Sequence, residues 1–309
     1  MSTAETTGSA GSLGSAAAAG TATAETWTIG RLLTWTADYL KKQGADSPRL
    51  DAEVLLAFAR GCQRIELYTA FGEIADEKLR GQFRELVRQR ALGKPVAYLV
   101  GRREFYSISF RVTPDVLIPR PETEFVVIEV LDRIKGLGEA AVADIGTGSG
   151  AIAVSVAKHA PRARVTAVDL SPAALEVARR NIADQGVGDR VECLQGDLLE
   201  PLPAGSQFDV IASNPPYVSD AEYAGLAREV KDHEPRLALV GGPTGAELIA
   251  RLITDAADRV RLGGYLIFEI SPMILERVKE LAAADARWRL ATVVKDLAGF
   301  PRVVTLQRI

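Results

Sequence analysis

The chain has 309 residues, 47% hydrophobic and 25% charged, enough to bury one large or two ordinary cores. Its 37 Lys and Arg against 40 Asp and Glu give a net charge of −3, which argues against a strongly basic nucleic-acid platform. No apolar run approaches the roughly 20 residues that span a bilayer, and Cys62 and Cys193 stand apart without a CxxC spacing, as free buried thiols in a reducing cytoplasm do.

The first 26 residues are almost entirely Ala, Ser, Gly and Thr, with only Glu5 and Glu25 charged. They lack the basic start and apolar stretch of a signal peptide and are expected to form a disordered tail. Residues 27–95 read as a small helical domain. Ile29, Leu32, Leu33, Ala37 and Leu40 recur at helical spacing up to Gly44. Ser47-Pro48 then provides an N-cap and a first-turn proline for a helix through Leu50, Val54, Leu55 and Phe58 to Gly61. A third helix carries Leu79, Phe83, Leu86 and Val87 and closes at Gly93 before Pro95.

Residues 27–115 hold 15 Lys and Arg against 11 Asp and Glu, a local net of +4. The excess is densest at Arg84, Arg88, Arg90, Lys94, Arg102 and Arg103, which suit either an acidic protein or RNA surface or a solvated helix face. Residues 96–121 change character, and Phe105 to Phe110 with Val112 predict short extended segments in a hairpin linker. The turn Pro119-Arg-Pro-Glu-Thr-Glu124 leads into a helix with acidic residues in its first turn.

From residue 122 to 309 the pattern is that of a catalytic domain. Strands expected at 141–145, 165–169, 191–195, 209–213, 264–270, 288–294 and 302–307 alternate with helices near 150–159, 172–185, 244–261 and 272–284. Such alternation specifies an α/β fold with a doubly wound, mostly parallel seven-stranded sheet of Rossmann-like type. The last two strands lack a helix between them and are expected to pair antiparallel.

Four consecutive strand ends carry candidate site residues. Asp144-Ile145-Gly146-Thr147-Gly148-Ser149-Gly150 follows the first strand and opens a helix, and glycines there permit positive φ and close ligand approach. Asp169 ends the second strand, 23 positions after Gly146, where a carboxylate can accept hydrogen bonds from both hydroxyls of a ribose. Gly146, Gly148 and Ala151 also satisfy the dinucleotide pattern, so this loop alone leaves an NAD enzyme open. Asp144, placed to face the charged amino-acid end of S-adenosylmethionine, and Asp197-Leu198 after the third strand, placed near an adenine amine, favour the methyl donor.

After the fourth strand stands Asn214-Pro215-Pro216-Tyr217. The lone pair of an amide or exocyclic amine is delocalised, so methylating such a nitrogen requires acceptors that hold both N–H groups. The Asn214 side-chain oxygen and the Pro215 carbonyl, kept out of the strand ladder by two prolines, suit that task, and Tyr217 offers a flat face for a planar group. Asn214, Pro215 and Tyr217 are therefore the candidate catalytic residues, with Pro216 completing the substrate site. His159 and His233 are isolated and no metal-ligand spacing occurs, so no metal is expected.

Together with Ser47-Pro-Arg-Leu-Asp-Ala-Glu53, Pro95-Val-Ala-Tyr-Leu-Val-Gly101, Val116-Leu-Ile-Pro-Arg-Pro-Glu-Thr-Glu124, Glu234-Pro-Arg-Leu-Ala-Leu239 and Asp296-Leu-Ala-Gly299, these motifs give a specific likeness. From about Arg31 to Gln307 the chain resembles the bacterial peptide chain release factor N5-glutamine methyltransferases. The resemblance implies S-adenosyl-L-methionine as methyl donor, bound by Asp144 to Gly148, Asp169, Leu198 and, at one edge, Asn214. It implies as substrate the glutamine of the Gly-Gly-Gln loop of class 1 release factors, held by Asn214 to Tyr217 while the helical domain contacts the release factor. A cytoplasmic enzyme without a membrane or a stable nucleic-acid partner is expected. Glutamine methylation of a ribosomal protein and adenine N6 methylation of nucleic acid share the tetrapeptide and stay open as alternatives. Two departures stand out: the alanine-rich tail, and Ser271 in Glu269-Ile-Ser271 where a glycine is expected.

Overall fold

The computed structural model describes residues 26–309. The tail read over residues 1–26 lies, but for Thr26, outside the described residues. The helical unit comprises α1 (Ile29–Lys42), α2 (Pro48–Arg60), α3 (Glu66–Thr69), α4 (Glu77–Ala91) and α5 (Val96–Val100). Local chemistry sets its boundaries. The Thr28 side chain accepts from the Arg31 N–H and Asp76 from the Leu79 N–H, while Gly61 ends α2 in the left-handed region at φ 70°. Ser47 holds the N-cap position of α2, but its side chain makes no capping bond there; Pro48 supplies the pre-set first turn. Leu33, Leu40, Leu55, Leu56 and Leu67 fill a core belonging to this unit alone. The α5 turn occupies the start of the stretch read as extended, because Pro95 opens it and Gly101 at φ 71° stops it.

Strands β1 (Arg102–Phe105) and β2 (Ile108–Arg111) form the expected hairpin. Tyr106 and Ser107 both take positive φ, 49° and 59°, the geometry that matches a two-residue turn to strand twist. Phe105 and Phe110 meet edge to face at 6.0 Å and drive the hairpin into the core beside the sheet. A 3₁₀ turn at Pro121–Thr123 then enters α6 (Glu124–Ile134).

The sheet is built from β3 (Ala140–Ile145), β4 (Ala163–Asp169), β5 (Val191–Gln195) and β6 (Phe208–Ser213), which alternate with α7 (Ala151–His159) and α8 (Pro172–Asp184). A segment with β7 (Val218–Ser219), α9 (Asp220–Ala224), α10 (Arg228–Lys231) and β8 (Val240–Gly242) interrupts the alternation before α11 (Glu247–Ala256), β9 (Val260–Glu269), α12 (Leu275–Ala284), β10 (Trp288–Lys295) and β11 (Pro301–Arg308). The seven-stranded order is β10-β11-β9-β6-β3-β4-β5; β11 runs antiparallel between β9 and β10, and the remaining pairs are parallel. Every residue of β3 except Ala141 is buried, as a central strand covered on both faces requires. One layer packs α6 and α7 on the sheet; α11 and α12 cover the opposite face.

The helix expected over 244–261 is shorter, because β9 already begins at Val260 and the Arg259 carbonyl accepts from the Phe208 N–H at the start of β6. Short β7 and β8 have no sequence periodicity of their own. Their pairing, Val218 with Val240 and Ser219 with Gly242, folds the inserted segment back over the carboxyl ends of β3 and β6. Strand order reverses there, and open α/β sheets bind their ligands at that place.

Candidate active site

A cavity of about 300 Å³ lies beyond these strand ends. Ile145, Gly146, Thr147, Gly148, Asp169, Asp197, Leu198, Asn214 and Pro216 all border it. The loop after β3 is held open by backbone bonds, with the Gly146 and Thr147 N–H groups both donating to the Val168 carbonyl at 2.8 and 2.9 Å. Gly146 and Gly148 take φ of 72° and 55°, and a Cβ on either would meet no protein atom, so this backbone faces open space. Gly150 differs. A Cβ there would stand 3.4 Å from Ala178 of α8, which makes it a helix-packing glycine.

Asp169 accepts from the Gly148 N–H at 2.8 Å and from the Ser171 N–H at 2.9 Å, one bond on each oxygen. Burial pushes its carboxyl above the ordinary range and the backbone donors pull it back. With both oxygens pinned and lone pairs left over, it is a rigid double acceptor on the cavity wall. Asp197 is paired with Arg251 of α11 at 2.8 Å, and both border the cavity. Leu198 takes φ 48°, left-handed backbone that costs a side-chain-bearing residue about 1 kcal/mol and marks a loop held for a purpose.

Asp144, expected to face the charged end of a ligand, is not among the residues that border this cavity. It is fully buried; its Oδ2 accepts from Thr147 Oγ1 at 2.6 Å and from the Ala153 N–H at 3.1 Å, while Oδ1 has no partner among the described residues. Burial, opposed by these two bonds, pushes its carboxyl up to about 7. Its position at the end of a doubly covered strand sends the side chain under the glycine loop, where it ties the loop to α7.

The tetrapeptide divides likewise. Asn214 and Pro216 border the cavity, whereas Pro215 is buried and Tyr217 packs against the sheet's second core. The Tyr217 hydroxyl donates to Glu269 Oε1 at 2.8 Å, and Thr123 Oγ1 donates to Glu269 Oε2 at 2.6 Å. Asn214 Nδ2 donates in turn to Thr123 Oγ1 at 3.0 Å, and Asn214 Oδ1 accepts from no described residue. Glu269 is only 1% exposed; burial raises its carboxyl and, with the neighbouring Glu269 charge, drives the Tyr217 hydroxyl far up. Sequence reasoning missed Thr123 and Glu269 as members of this site. They stand 146 positions apart, and only the turn before α6 and the end of β9 bring them together.

The inserted segment closes the cavity with Pro235, Leu237 and Ala238. Buried Glu234 anchors it, accepting from the Arg120 guanidinium and, at 3.3 Å, from the Ile118 N–H. Arg90, read among exposed basic residues, is 8% exposed: it pairs with Asp51 at 2.7 Å inside the helical unit and with Glu229 of α10 at 2.8 Å. The same guanidinium thus clasps the inserted segment to the helical unit. Cys62 and Cys193 are free and half-buried at the edges of their cores, and burial pushes both thiols up. No helix among the described residues is long and apolar enough to cross a membrane.

Residues 31–101 match the family described as the PrmC N-terminal domain, and residues 124–236 the methyltransferase small domain. The chain is 54% identical over 286 residues to the release factor glutamine methyltransferase of Rhodopirellula baltica, covering 91% of this chain and 97% of that one. It is 46% identical over 259 residues to the enzyme of the same name from Moorella thermoacetica, covering 84% and 91%. Among solved structures, the hMettl16 catalytic domain in complex with a 3′UTR hairpin aligns at a TM-score of 0.55 and 17% identity over 76% of this chain and 84% of that one, a likeness of fold alone. With its helical N-terminal unit, its methyltransferase sheet and near full-length identity of this order, the chain belongs to the release factor glutamine methyltransferase family.

Proposed function

We propose that the chain transfers the methyl group of S-adenosylmethionine to the side-chain amide N5 of the glutamine in the Gly-Gly-Gln loop of class 1 release factors. The observation that carries the reading is Asn214, fixed through its Nδ2 on Thr123, bordering the cavity and keeping Oδ1 as a free acceptor. The names of the relatives support the substrate.

The residues present fit the methyl donor. Asp169 offers two pinned carboxylate oxygens for ribose hydroxyls, and Gly146 and Gly148 leave their backbone open for close approach. Leu198 and Ile145 provide apolar walls, and Asp197 is held at the rim by Arg251. When bound, S-adenosylmethionine supplies an electrophilic methyl group on a sulfonium centre. The protein's share is then positioning and electrostatics. Asn214 Oδ1 accepts an amide hydrogen of the glutamine, turning the nitrogen lone pair toward the methyl group and stabilising the positive charge that builds on it. Asp169, whose carboxyl burial raises, borders the cavity but is committed to the ribose hydroxyls, so the surplus proton leaves to water.

The test is an incubation with labelled methyl donor and purified release factors, comparing native Gly-Gly-Gln with a Gly-Gly-Ala variant. Label is expected on the native protein only, and label that survives the change to Ala refutes the substrate.

A further inference from the structure

We infer that Thr123 and Glu269 form a positioning relay that fixes which face of the Asn214 amide meets the substrate. The inference rests on the proposed glutamine-methylating reading and deepens it. The argument is one of donors and acceptors. Glu269 takes one hydroxyl on each carboxyl oxygen, Thr123 donating to Oε2 at 2.6 Å and Tyr217 to Oε1 at 2.8 Å, so both hydroxyl protons are committed to it. Thr123 Oγ1 then has only lone pairs left to offer. Asn214, 3.0 Å away, must present its NH₂ to them, which leaves Oδ1 on the cavity side.

Without the relay the two ends of the Asn214 amide would be nearly equivalent in shape. The wrong end would point two N–H donors at a substrate whose own N–H groups need acceptors, so the relay separates a productive from an unproductive site. Its burial strengthens it. Thr123 is 4% and Glu269 1% exposed, so water does not compete for these bonds, and an unpaired group there would be costly. Thr123 sits on the turn before α6, Glu269 ends β9 and Asn214 follows β6. One bond network therefore ties three separate stretches of chain to a single amide orientation.

The experiment compares Thr123→Val with Thr123→Ser, assayed for release factor methylation under saturating methyl donor. Val keeps the shape and loses the hydroxyl; Ser keeps the hydroxyl and loses the methyl. A packing role predicts that Val is tolerated and Ser is not. The relay predicts the reverse: kcat falls about tenfold to a hundredfold in Thr123→Val, in the range that misplacement of a reacting group produces, and returns to within a few-fold in Thr123→Ser. Affinity for S-adenosylmethionine, read by calorimetry, stays unchanged in both. Equal kcat for Val and wild type overturns the relay. If wild type itself transfers no methyl group to release factors, the functional reading fails instead. The relay is then judged by NMR of the Asn214 side-chain amide, assigned through its loss in Asn214→Asp. A resonance that moves in Thr123→Val and stays in Thr123→Ser supports the relay, and one that is indifferent to both overturns it.

Discussion

At the scale of single residues, the carboxylates near the glycine loop have opposite fates. Asp169 is pinned by two backbone donors on the cavity wall, whereas Asp144 is sealed beneath the loop with one oxygen unpartnered. Burial raises the Asp144 carboxyl from an ordinary 3.8 to about 7, and the charge of Asp169 adds to the rise. Between these values the folded protein holds a proton that the unfolded chain has released. Stability from this group is therefore fully present below about pH 4 and is lost as pH rises through about 7, by at most about 1.4 kcal/mol per unit. Asp144→Asn keeps an oxygen for Thr147 and Ala153 and cannot ionise. Its urea midpoint relative to wild type is expected to improve from pH 5 to about pH 7 and to level off above that in the ligand-free protein. Parallel pH profiles for the two proteins would show that Asp144 is already ionised in the folded protein throughout this window.

At the scale of elements, the short parallel pair β7–β8 sets the tetrapeptide in place. A Cβ on Gly241 would fall inside contact distance of the Pro216 carbonyl oxygen, and one on Gly245, at φ 81°, would strike the Tyr217 carbonyl. Backbone cannot yield as a flexible side chain can. Gly241→Ala is therefore expected to push Pro216 and its neighbours away from the inserted segment, lowering kcat about tenfold or more while S-adenosylmethionine affinity changes little. Single-turnover methylation beside a binding isotherm checks it, and an unchanged rate would mean that the loop has room to spare. This device was not legible in the sequence, since a two-residue strand carries no period and Gly241 resembles any turn glycine. The strands β3, β4, β5, β6 and β9 were legible, because apolar runs ending in Asp169 or Asn214 and separated by helical spacing admit one architecture. Thr123 and Glu269 were visible as letters of recognisable motifs. Their bond was not, because nothing local to either stretch encodes a partner 146 positions away. The burial of Asp144 was not legible for a related reason: a residue next to a strand's end can point up to a ligand or down beneath the loop, and the residue type alone does not choose.

At the scale of the whole molecule, the helical unit and the sheet keep separate cores. The first draws its buried cluster from Ile29 to Val87, and none of those residues enters the clusters that flank the sheet. What joins them is small: Tyr98 of α5 in a satellite cluster with Val112, Val116, Ile118, Ala174 and Val177, its hydroxyl donating to the Val116 carbonyl at 2.6 Å, and the Arg90 clasp on Glu229. Removing Arg90 would leave Asp51, 9% exposed, without its cation, a loss of about 3 kcal/mol that falls mainly on the helical unit. A joint of this size lets the two units open independently, so ligand binding at the sheet should protect the sheet and spare the helices. At a free S-adenosylmethionine concentration of about 100 times its Kd, linkage stabilises the bound unit by about 2.7 kcal/mol, or roughly a hundredfold slower opening. Hydrogen exchange read by mass spectrometry is expected to slow to that extent in peptides covering β3 and β4, residues 140–169, and to change little in peptides covering α1 and α2, residues 29–60. Equal protection of both sets would mean that the Arg90 and Tyr98 contacts fuse the two units into one cooperative body.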